Sequence, residues 1–599
     1  MAREPSNETN SPVAVPVAGL QVIDEDLPLI TEHLDLNEHT KPDTPVSPLT
    51  ETKPNTPANT PAVSSPNGTN GVNGDKPPLT ITDLCRNLTV ESSKAATPDN
   101  KSSDDGDSDA NGREKPNGGD KLAKLLASVP ENPTGISVDQ LYSENAINIQ
   151  DIENNGKMRV FLTQTAQGLS PSSGGYKANY CFLVQLAKRG HACAQICYAY
   201  ESEINRACEE LEKKGKDSQR RHEDVFVTDK YNKLHRFVIT MFVNDDGILN
   251  IALDRNVFNV VWPTKEFFPG IIEYLEGDVQ NVSPQMRTLV NLFGQHISGF
   301  RPTHVVFNDA LTMKVAANHP LRPWFKRIGI IHTAEQLPFG PFSQGILGHC
   351  LSPKFEVGML HDLDGIWSVS KAIQDYSKKY GNLDTKFLVH SPLTYLDSNR
   401  QMPLVRYNID KVAVGMVNPC PHKGMDILVG LAKELPDVKF VTWASWGSEK
   451  EHLETLNSIP NIEVMPTTRD TDEIWDTIKI LIAPSVWHEA WGIIVTEAQL
   501  RGIPVVASNA GGLPEAKIGL PYVIPVNMVT GKRHPNGYYV VPEQDITEWK
   551  AVVEGLMTND RKYKRVATMT AAVAAHWLRG LDPLAHEKWL LSMMDDGKE

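Results

Sequence analysis

Two glutamates eight positions apart, Glu489 and Glu497, lie in the stretch VWHEAWGIIVTEAQLRGIPVVASNAGGLPEA. Ionised carboxylates accept charge-assisted hydrogen bonds, which are about twice as strong as neutral ones, so the pair could bind a ligand with several hydroxyl groups. The spacing alone would recur by chance in so acidic a chain. Its context is more specific, because a strand pattern, a polar turn, a glycine, a helix, a second strand and a GGLPE turn follow in order.

Three further groups of candidate residues each follow a strand-like run. Lys423 and Gly424 begin a helical pattern after KVAVG, where a positive charge beside free N–H groups suits a diphosphate, although an exposed lysine would give the same pattern. Gly174 and Gly175 would let the backbone approach an anion, although an ordinary tight turn also uses glycine. His332 follows RIGII, either as a ligand-binding group or as a structural hydrogen-bonding residue.

These residues can meet only if the strands before them share an edge. Short Val/Ile/Phe runs alternate with amphipathic stretches such as 176–189 and 370–380, which predicts parallel βαβ units. In an open parallel sheet, ligands bind at the carboxyl ends of the strands. The predicted strands are MRVFL, RFVITMFV, ILNIALD, THVVF, RIGII, GIWSV, KVAVG, KFVTW, NIEVM, IKILIAPS and PVVAS. The pattern predicts an α/β fold with two Rossmann-like doubly wound domains.

Lapses in this pattern predict the domain boundaries. Residues 1–120 are rich in Pro, Thr, Ser, Asn and Gly and cannot bury enough apolar surface to fold, so we predict a disordered tail. A linker with a helical segment follows at 121–157. The N-terminal Rossmann-like domain is predicted at 158–405 and the C-terminal one at 406–575. A final helix at 576–599 is expected to cross back to the N-terminal domain.

Composition excludes several classes of function. The 599 residues carry a formal net charge of -15, which argues against nucleic acid as a partner. No apolar run approaches the roughly 20 residues that span a bilayer, and no signal-peptide pattern opens the chain, so we predict a cytoplasmic protein. The seven cysteines form no CxxC pair and suit reduced thiols.

A basic cluster interrupts the first series of strands, at Lys213, Lys214, Lys216, Arg220 and Arg221. It would suit peripheral membrane contact or an anionic acceptor, whereas the interleaved acidic residues favour a solvated connector. The oligomeric state stays open.

The region around Glu489 and Glu497 resembles the E-x7-E region of family 4 retaining glycosyltransferases, the glycosyl transferases group 1, and is similar to fungal members of that family. The resemblance continues through the GG loop, the HT pair at His332, the SVSKAI segment at 368–373 and the HKG turn, and so covers 158 to the C-terminus. It implies the GT-B architecture. It also implies transfer of a hexosyl group from a UDP- or GDP-sugar, bound by the second domain, to a small-molecule, lipid or glycan acceptor on the first.

The resemblance further implies a role for each candidate residue. Glu497 would accept hydrogen bonds from ribose hydroxyls, Glu489 would position the donor sugar and stabilise charge, and Lys423 would neutralise the departing diphosphate. His332 would contact the donor sugar and support reaction at its anomeric centre. The remaining donor-binding groups would be Gly174, Gly175, Ala490, Trp491, Gly492 and Ile493. No metal or other cofactor is expected, because lysine and helix N-termini can bind the diphosphate; the nucleotide sugar is the co-substrate.

Two positions depart from the family pattern, and a third segment matches the pattern of a different architecture. Met416 stands after Gly415 where the family commonly has an arginine, so either another basic residue replaces it or phosphate binding is weaker. Trp491 stands where the family commonly has phenylalanine, and its larger side chain is expected to reshape the sugar pocket. The DLD sequence at 362–364 matches the DxD pattern of the other glycosyltransferase architecture and is expected to be structural.

Two other functions stay open. A glycosyl phosphorylase of trehalose-phosphorylase type would share the fold and the E-x7-E region but use inorganic phosphate in place of a nucleotide. A non-catalytic sugar-nucleotide-binding protein is favoured by the missing arginine and the long tail. The presence of Glu489, Glu497, Lys423 and His332 weighs against the non-catalytic alternative.

Overall fold

The computed structural model describes residues 156–169, 174–215, 220–229, 231–262, 270–277, 282–343, 352–392, 402–445, 447–468, 470–535 and 539–595. All of these residues belong to one compact unit. The predicted tail at 1–120 and nearly all of the predicted linker at 121–157 lie outside the described residues.

The first half of the described chain builds a nine-stranded sheet. Its strands are β1 (Arg159–Gln167), β2 (Ala192–Ala199), β3 (Arg221–Thr228), β4 (Leu234–Val243), β5 (Ile248–Asp254), β6 (His304–Phe307), β7 (Lys326–Ile331), β8 (Gly365–Ser368) and β9 (Phe387–Val389). Its helices are α1 (Gly174–Ala187), α2 (Glu201–Lys213), α3 (Arg255–Val261), α4 (Ile271–Glu276), α5 (Pro284–Phe300), α6 (Ala310–Ala317), α7 (Pro353–His361) and α8 (Lys371–Gly381).

The strands of this first sheet lie in the order β3-β4-β5-β2-β1-β6-β7-β8-β9. From β5 to β9 every neighbouring pair is parallel. The runs MRVFL, THVVF, RIGII and GIWSV are therefore parallel strands, as predicted. Their continuous apolar character reflects burial on both faces of the sheet.

An antiparallel extension forms one edge of the first sheet. The runs RFVITMFV and ILNIALD are β4 and β5, which confirms them as extra strands. The charged segment before them, expected to be a solvated connector, is in large part β3, which pairs with β4 along its whole length. Polar residues are tolerated there because β3 is the outermost strand and is mostly half-buried. Lys214 pairs with Asp245 at 2.9 Å, and Lys216 lies outside the described residues.

The second half of the described chain builds a six-stranded sheet. Its strands are β10 (Ala413–Val417), β11 (Lys439–Trp443), β12 (Ile462–Met465), β13 (Ile478–Ala483), β14 (Val505–Ser508) and β15 (Val523–Ile524). The helices that follow β10 in the chain are α9 (Met425–Glu434), α10 (Lys450–Asn457), α11 (Thr471–Thr477), α12 (Ile493–Leu500), α13 (Leu513–Ala516), α14 (Thr547–Thr558), α15 (Asp560–Gly580) and α16 (Ala585–Asp595). The strand order is β12-β11-β10-β13-β14-β15, and every pairing is parallel.

Both faces of the second sheet are covered by helices. Val414 and Ile480 join a buried cluster with residues of α9, α14 and α15. Ala413 and Leu481, from the same two strands, join a separate cluster with residues of α11, α12 and α13. Side chains that alternate between two clusters define a doubly wound sheet. The predicted α/β class with two Rossmann-like sheets is thus confirmed.

The last helix, α16, packs on the first sheet although it follows the second in the chain. Glu587 pairs with Arg189 Nε at 2.5 Å and with His191 Nε2 at 2.7 Å. The His304 ring hydrogen-bonds with the Leu590 carbonyl at 3.1 Å. Helix α16 therefore connects the end of the chain to the strands on which the first half is built.

The packing of α16 predicts a large effect of truncating its buried leucine. Leu590 is fully buried, so Leu590→Ala should lower the free energy of unfolding by about 2–5 kcal/mol through the cavity that it leaves. Leu584→Ala is the matched control; this side chain is 37% exposed, and its loss should change the same quantity by less than about 0.5 kcal/mol. Urea unfolding followed by tryptophan fluorescence measures both, and equal effects would contradict this packing.

Candidate active site

Loops from the carboxyl ends of both sheets meet at one place. A Cβ on Gly174, which starts α1 of the first half, would lie 2.8 Å from Ile493 Cδ1, which starts α12 of the second half. Phe342 of the first half packs edge-on against Trp487 of the second, with ring centroids 4.7 Å apart. The two halves are thus in direct contact at two points near these strand ends.

An ion pair joins two of the predicted residues. Lys423 follows β10 at the end of the 3-10 turn Pro421–Lys423, and Glu489 lies in the loop after β13. Lys423 Nζ lies 2.5 Å from Glu489 Oε1, and the two side chains are only 24% and 15% exposed. The two loops are also joined through the backbone, since Val486 N donates to His422 O at 3.1 Å. The structure therefore brings Lys423 and Glu489 together.

The electrostatics keep Lys423 charged. Burial by itself lowers the pKa of the Lys423 ammonium, but the charge and hydrogen bond of Glu489 outweigh burial and raise that pKa above its ordinary value. A buried cation with a carboxylate partner is stable in the absence of a ligand, and it can exchange that partner for an incoming anion. This arrangement suits the binding of a phosphate group.

The loop that carries Glu489 is shaped by the GG pair of the GGLPE turn. Gly511 has φ +57°, and a Cβ there would overlap both the carbonyl oxygen and the amide nitrogen of Glu489. The Gly512 amide donates to the same Glu489 carbonyl at 2.7 Å. Only residues without a side chain allow this approach. The GGLPE turn thus positions the backbone of Glu489.

His332 packs directly on the GG loop. A Cβ on Gly175 would lie 3.0 Å from His332 Cγ, so the absence of a side chain there makes room for the ring. His332 Nε2 lies 2.6 Å from Asn179 Oδ1, and this carbonyl acceptor places the ring proton on Nε2. Burial lowers the pKa of His332 to about 4, so the ring is neutral at pH 7 and its Nδ1 is an acceptor.

The backbone after His332 is fixed by one glutamine. Gln336 Oε1 accepts from the amides of His332 at 2.6 Å and Thr333 at 3.1 Å. Gln336 Nε2 donates to the Asn308 carbonyl at 3.0 Å. The His332 side chain is therefore held from its own turn, from α1 and from the end of β6.

Glu497 lies on α12, four residues after that helix begins at Ile493. Gly492 caps the helix with φ +98°. Burial raises the pKa of Glu497, while the positive charges of Lys177 and Arg501 oppose that shift. Lys177 belongs to α1, so a charge of the first half acts on Glu497. Ala490 packs partly buried against the core of that half.

The side chain of Trp491, which was expected to reshape the sugar pocket, packs in the core of the second half. Its side chain is 7% exposed, lies in the core between β13 and α12, and donates from Nε1 to Thr496 Oγ1 at 3.0 Å. It also stacks on Trp577 of α15 at 6.0 Å. The larger ring therefore packs α15 against the loop that carries Glu489.

Met416, which stands where the family commonly has an arginine, is also buried. Met416 is 1% exposed and belongs to the cluster that α9 and α14 cover. The side chain at this position therefore belongs to the core of the second half. A basic residue elsewhere in the chain, Arg533, exerts its positive charge on Glu335, as Lys423 does.

The DLD sequence has a structural role. Arg327 is fully buried on β7; its Nη1 lies 2.8 Å from Asp362 Oδ2, and its amide donates to Asp364 Oδ2 at 2.8 Å. Within the described ranges, no group of three or more His, Cys, Asp or Glu side chains is arranged to hold a metal ion. None of the described helices is long and apolar enough to cross a membrane.

Two functional candidates escaped the sequence analysis. Glu515 of the GGLPE turn accepts from the Lys371 amide at 2.8 Å and the Ala372 amide at 2.7 Å, which caps α8 of the first half from a loop of the second. Glu335 is a buried carboxyl three residues after His332. Glu515 stands in the GGLPE turn, but the sequence does not indicate its contact with α8. Glu335 has no periodic or motif signal, and both positions depend on contacts between distant parts of the chain.

A known domain covers most of the second half. The family model for glycosyl transferases group 1 matches residues 410–559, which include Lys423, Glu489 and Glu497. The chain therefore carries a glycosyl transferases group 1 domain. This match spans 150 of the 599 residues.

Similar proteins are related at low identity. A D-inositol 3-phosphate glycosyltransferase of Mycobacterium marinum is 26% identical over 173 residues, 27% of this chain and 33% of that relative. Spore coat protein SA of Bacillus subtilis is 24% identical over 157 residues, 24% of this chain and 38% of that relative. The chain thus spans little more than a third of these relatives. A sucrose-phosphate synthase structure from Thermosynechococcus elongatus has a TM-score of 0.47 at 13% identity, over 74% of this chain and 98% of that one.

The Gly511 geometry predicts a position-specific cost of adding a methyl group. Gly511→Ala and Gly519→Ala both place alanine at positive φ, +57° and +84°, which costs about 1–2 kcal/mol of stability each. A Cβ on Gly519 meets nothing within 4 Å, whereas one on Gly511 overlaps the Glu489 backbone, so Gly511→Ala should cost about 1–3 kcal/mol more. Urea unfolding compares the two, and equal losses would show that the GGLPE turn does not hold the Glu489 loop.

Proposed function

We propose that this protein is a retaining glycosyltransferase that moves a hexosyl group from a UDP- or GDP-sugar to an acceptor hydroxyl. The observation that carries the proposal is the Lys423–Glu489 ion pair, which follows β10 and β13 in a glycosyl transferases group 1 domain. The start of α12 in that domain touches the GG loop of the first half. The name of the mycobacterial relative, a glycosyltransferase, also supports it.

Lys423 would act on the leaving group. As the bond between the anomeric carbon and the diphosphate oxygen breaks, negative charge grows on that oxygen, and an ammonium already in place stabilises the charge without reorganisation. The acceptor oxygen then bonds to the anomeric carbon on the face that the diphosphate leaves. The acceptor proton passes to the departing phosphate oxygen. The products are a glycoside of the same configuration and a nucleoside diphosphate.

Glu489 and His332 would position the sugar between the two halves. When the diphosphate takes Lys423, the Glu489 carboxylate is released to accept hydrogen bonds from sugar hydroxyls. The neutral His332 ring offers Nδ1 as an acceptor from the opposite side, with its orientation fixed by Asn179. Glu497 would accept hydrogen bonds from the ribose, and the amides from Ala490 to Ile493 would bind sugar and phosphate oxygens.

The proposals for metal, compartment and acceptor are those expected from the sequence. We propose a reaction without metal, in a cytoplasmic protein, with a small-molecule, lipid or glycan acceptor. Lys423 and the N-terminus of α12 supply the positive ends that a metal would otherwise provide.

A donor panel tests the proposed reaction. Purified protein is incubated with UDP- and GDP-sugars and a native extract as the acceptor source, and release of nucleoside diphosphate is measured with mass analysis of the products. We expect release with one donor and a product heavier by one hexosyl group. Phosphorolysis of a disaccharide with inorganic phosphate, without nucleotide release, would establish a phosphorylase instead. The absence of both nucleotide release and phosphorolysis would refute an enzymatic function.

The two glutamates should have separable effects. Glu497→Ala removes hydrogen bonds to the ribose and should weaken nucleotide binding about tenfold to a hundredfold, since such bonds contribute about 1.5–3 kcal/mol. Glu489→Ala should mainly lower kcat, because it acts on the sugar and on charge in the transition state. Calorimetric binding and steady-state kinetics measure both, with Glu554→Ala on the exposed face of α14 as control. Equal and negligible effects would contradict these roles.

A further inference from the structure

The N-terminus of α8, in the first half of the molecule, is capped in part by the second half. The first amides of a helix have no partner within the helix. Ser370 Oγ accepts from the Ile373 amide at 3.1 Å, inside the first half. The amides of Lys371 and Ala372 donate instead to the two carboxylate oxygens of Glu515, at 2.8 and 2.7 Å. Both oxygens of this one side chain are therefore engaged by α8.

Glu515 is joined through its own short turn to the loop that carries Glu489. The Gly512 amide donates to the Glu489 carbonyl at 2.7 Å, and a Cβ on Gly511 would overlap the same carbonyl oxygen. The Ala516 amide donates to the Gly512 carbonyl at 3.0 Å, which closes the single turn of α13 around Glu515. A continuous series of hydrogen bonds and short chain segments thus runs from α8 to the backbone of Glu489.

A second contact joins α8 to the same loop at His488, which directly precedes Glu489. The His488 ring lies 5.4 Å from the ring of Tyr376 on α8 and stacks on Phe342 at 5.5 Å. Tyr376 is itself fixed, because its hydroxyl donates to the Phe339 carbonyl and accepts from the Phe342 amide, both at 3.0 Å. The Glu489 loop is therefore attached to the first half at two points.

These attachments matter because the Lys423–Glu489 pair needs a fixed geometry. Lys423 lies on a turn that is closed within the second half, where its amide donates to the Cys420 carbonyl at 3.0 Å. The backbone of Glu489 is held by the glycines of the GGLPE turn, and that turn is held by α8 through Glu515. A displacement of about 1 Å at a reacting centre costs about a hundredfold in rate. Loosening the GGLPE turn would therefore act on the position of Glu489.

We propose that Glu515 is a positioning residue of the reaction, through which α8 of the first half holds Glu489 in place beside the donor sugar. The inference rests on the proposed function, because it takes Glu489 to act on that sugar. Glu515 acts through the GGLPE turn and not on the reacting atoms. The first half thereby contributes to the geometry of an ion pair whose two members both belong to the second half.

Hydrogen exchange of the full chain measures this attachment without any ligand. Glu515→Ala removes two charge-assisted acceptors from α8, each of which contributes about tenfold or more to a local equilibrium. We expect the Gly512 amide, which donates to Glu489, to exchange about tenfold or more faster in this variant. Ser283→Ala is the matched control, because it removes a helix cap that accepts from the Met286 amide at 3.1 Å within the first half. This control should leave Gly512 exchange as in wild type.

A double-mutant cycle measures whether Glu515 acts through Glu489. Glu515→Ala should lower kcat about tenfold to a hundredfold in the otherwise wild-type chain. It should change the affinity for UDP or GDP by less than about threefold, because the proposed ribose ligand, Glu497, lies on α12. In the Glu489→Ala background the same substitution should lower kcat by less than about threefold, since the group that it positions is gone. A purely structural residue would give the same factor in both backgrounds.

Each possible result supports or overturns the inference. Unchanged exchange of the Gly512 amide in Glu515→Ala overturns it, and so does an equal loss of kcat in the two backgrounds. If Glu515→Ala does not fold, Glu515→Gln, which keeps one acceptor, takes its place and should show smaller changes in the same direction. Failure of both variants to fold would establish a purely structural role.

These results leave the proposed function standing. The absence of nucleotide release by the wild-type chain across the donor panel would instead overturn the proposed function, and with it any role of Glu515 in a reaction. Exchange of the Gly512 amide would still decide whether α8 holds the Glu489 loop.

Discussion

The ion pair between Lys423 and Glu489 is the constraint on which the geometry of the cleft depends. An ammonium and a carboxylate that are each less than one quarter exposed are stable only when they face each other, because an unpaired buried charge costs several kcal/mol. The loops after β10 and β13 must therefore keep a fixed position relative to each other. The amide of Val486 and the two glycines of the GGLPE turn meet this requirement through the backbone. A ligand that replaces one partner of the pair then finds the other already in position.

Contacts between the two halves also pair groups that would otherwise lack a partner, because a residue of one half supplies the hydrogen bond or packing that the other half needs. Glu515 supplies acceptors for the first two amides of α8, which an isolated helix would leave to water. Trp487 enters the core of the first half and hydrogen-bonds to Glu335. Helix α16 returns to the first sheet. Relative movement of the halves would therefore break several specific interactions.

Much of this fold could be predicted from sequence, because parallel strands buried on both faces read as apolar runs and their ends share one edge. The GG loop and His332 could be placed there for the same reason. The charged residues of β3 concealed an edge strand, since the pattern expected of a buried strand does not apply to one that faces solvent. The packing of Trp491 could not be predicted, because its partner, Trp577, lies 86 positions away on a helix whose placement no local pattern specifies. Glu335 and Glu515 likewise depend on contacts between sequentially distant loops.

The internal position of Met416 changes how the charge of the site must be understood. An arginine at the end of β10 would add a second cation close to Lys423 in the sequence. Here that position belongs to the apolar core. A basic residue besides Lys423 whose charge acts on Glu335 is Arg533, which also lies over the Tyr539 ring at 3.9 Å. The positive charge at the site therefore comes from side chains on turns and loops and not from the end of β10.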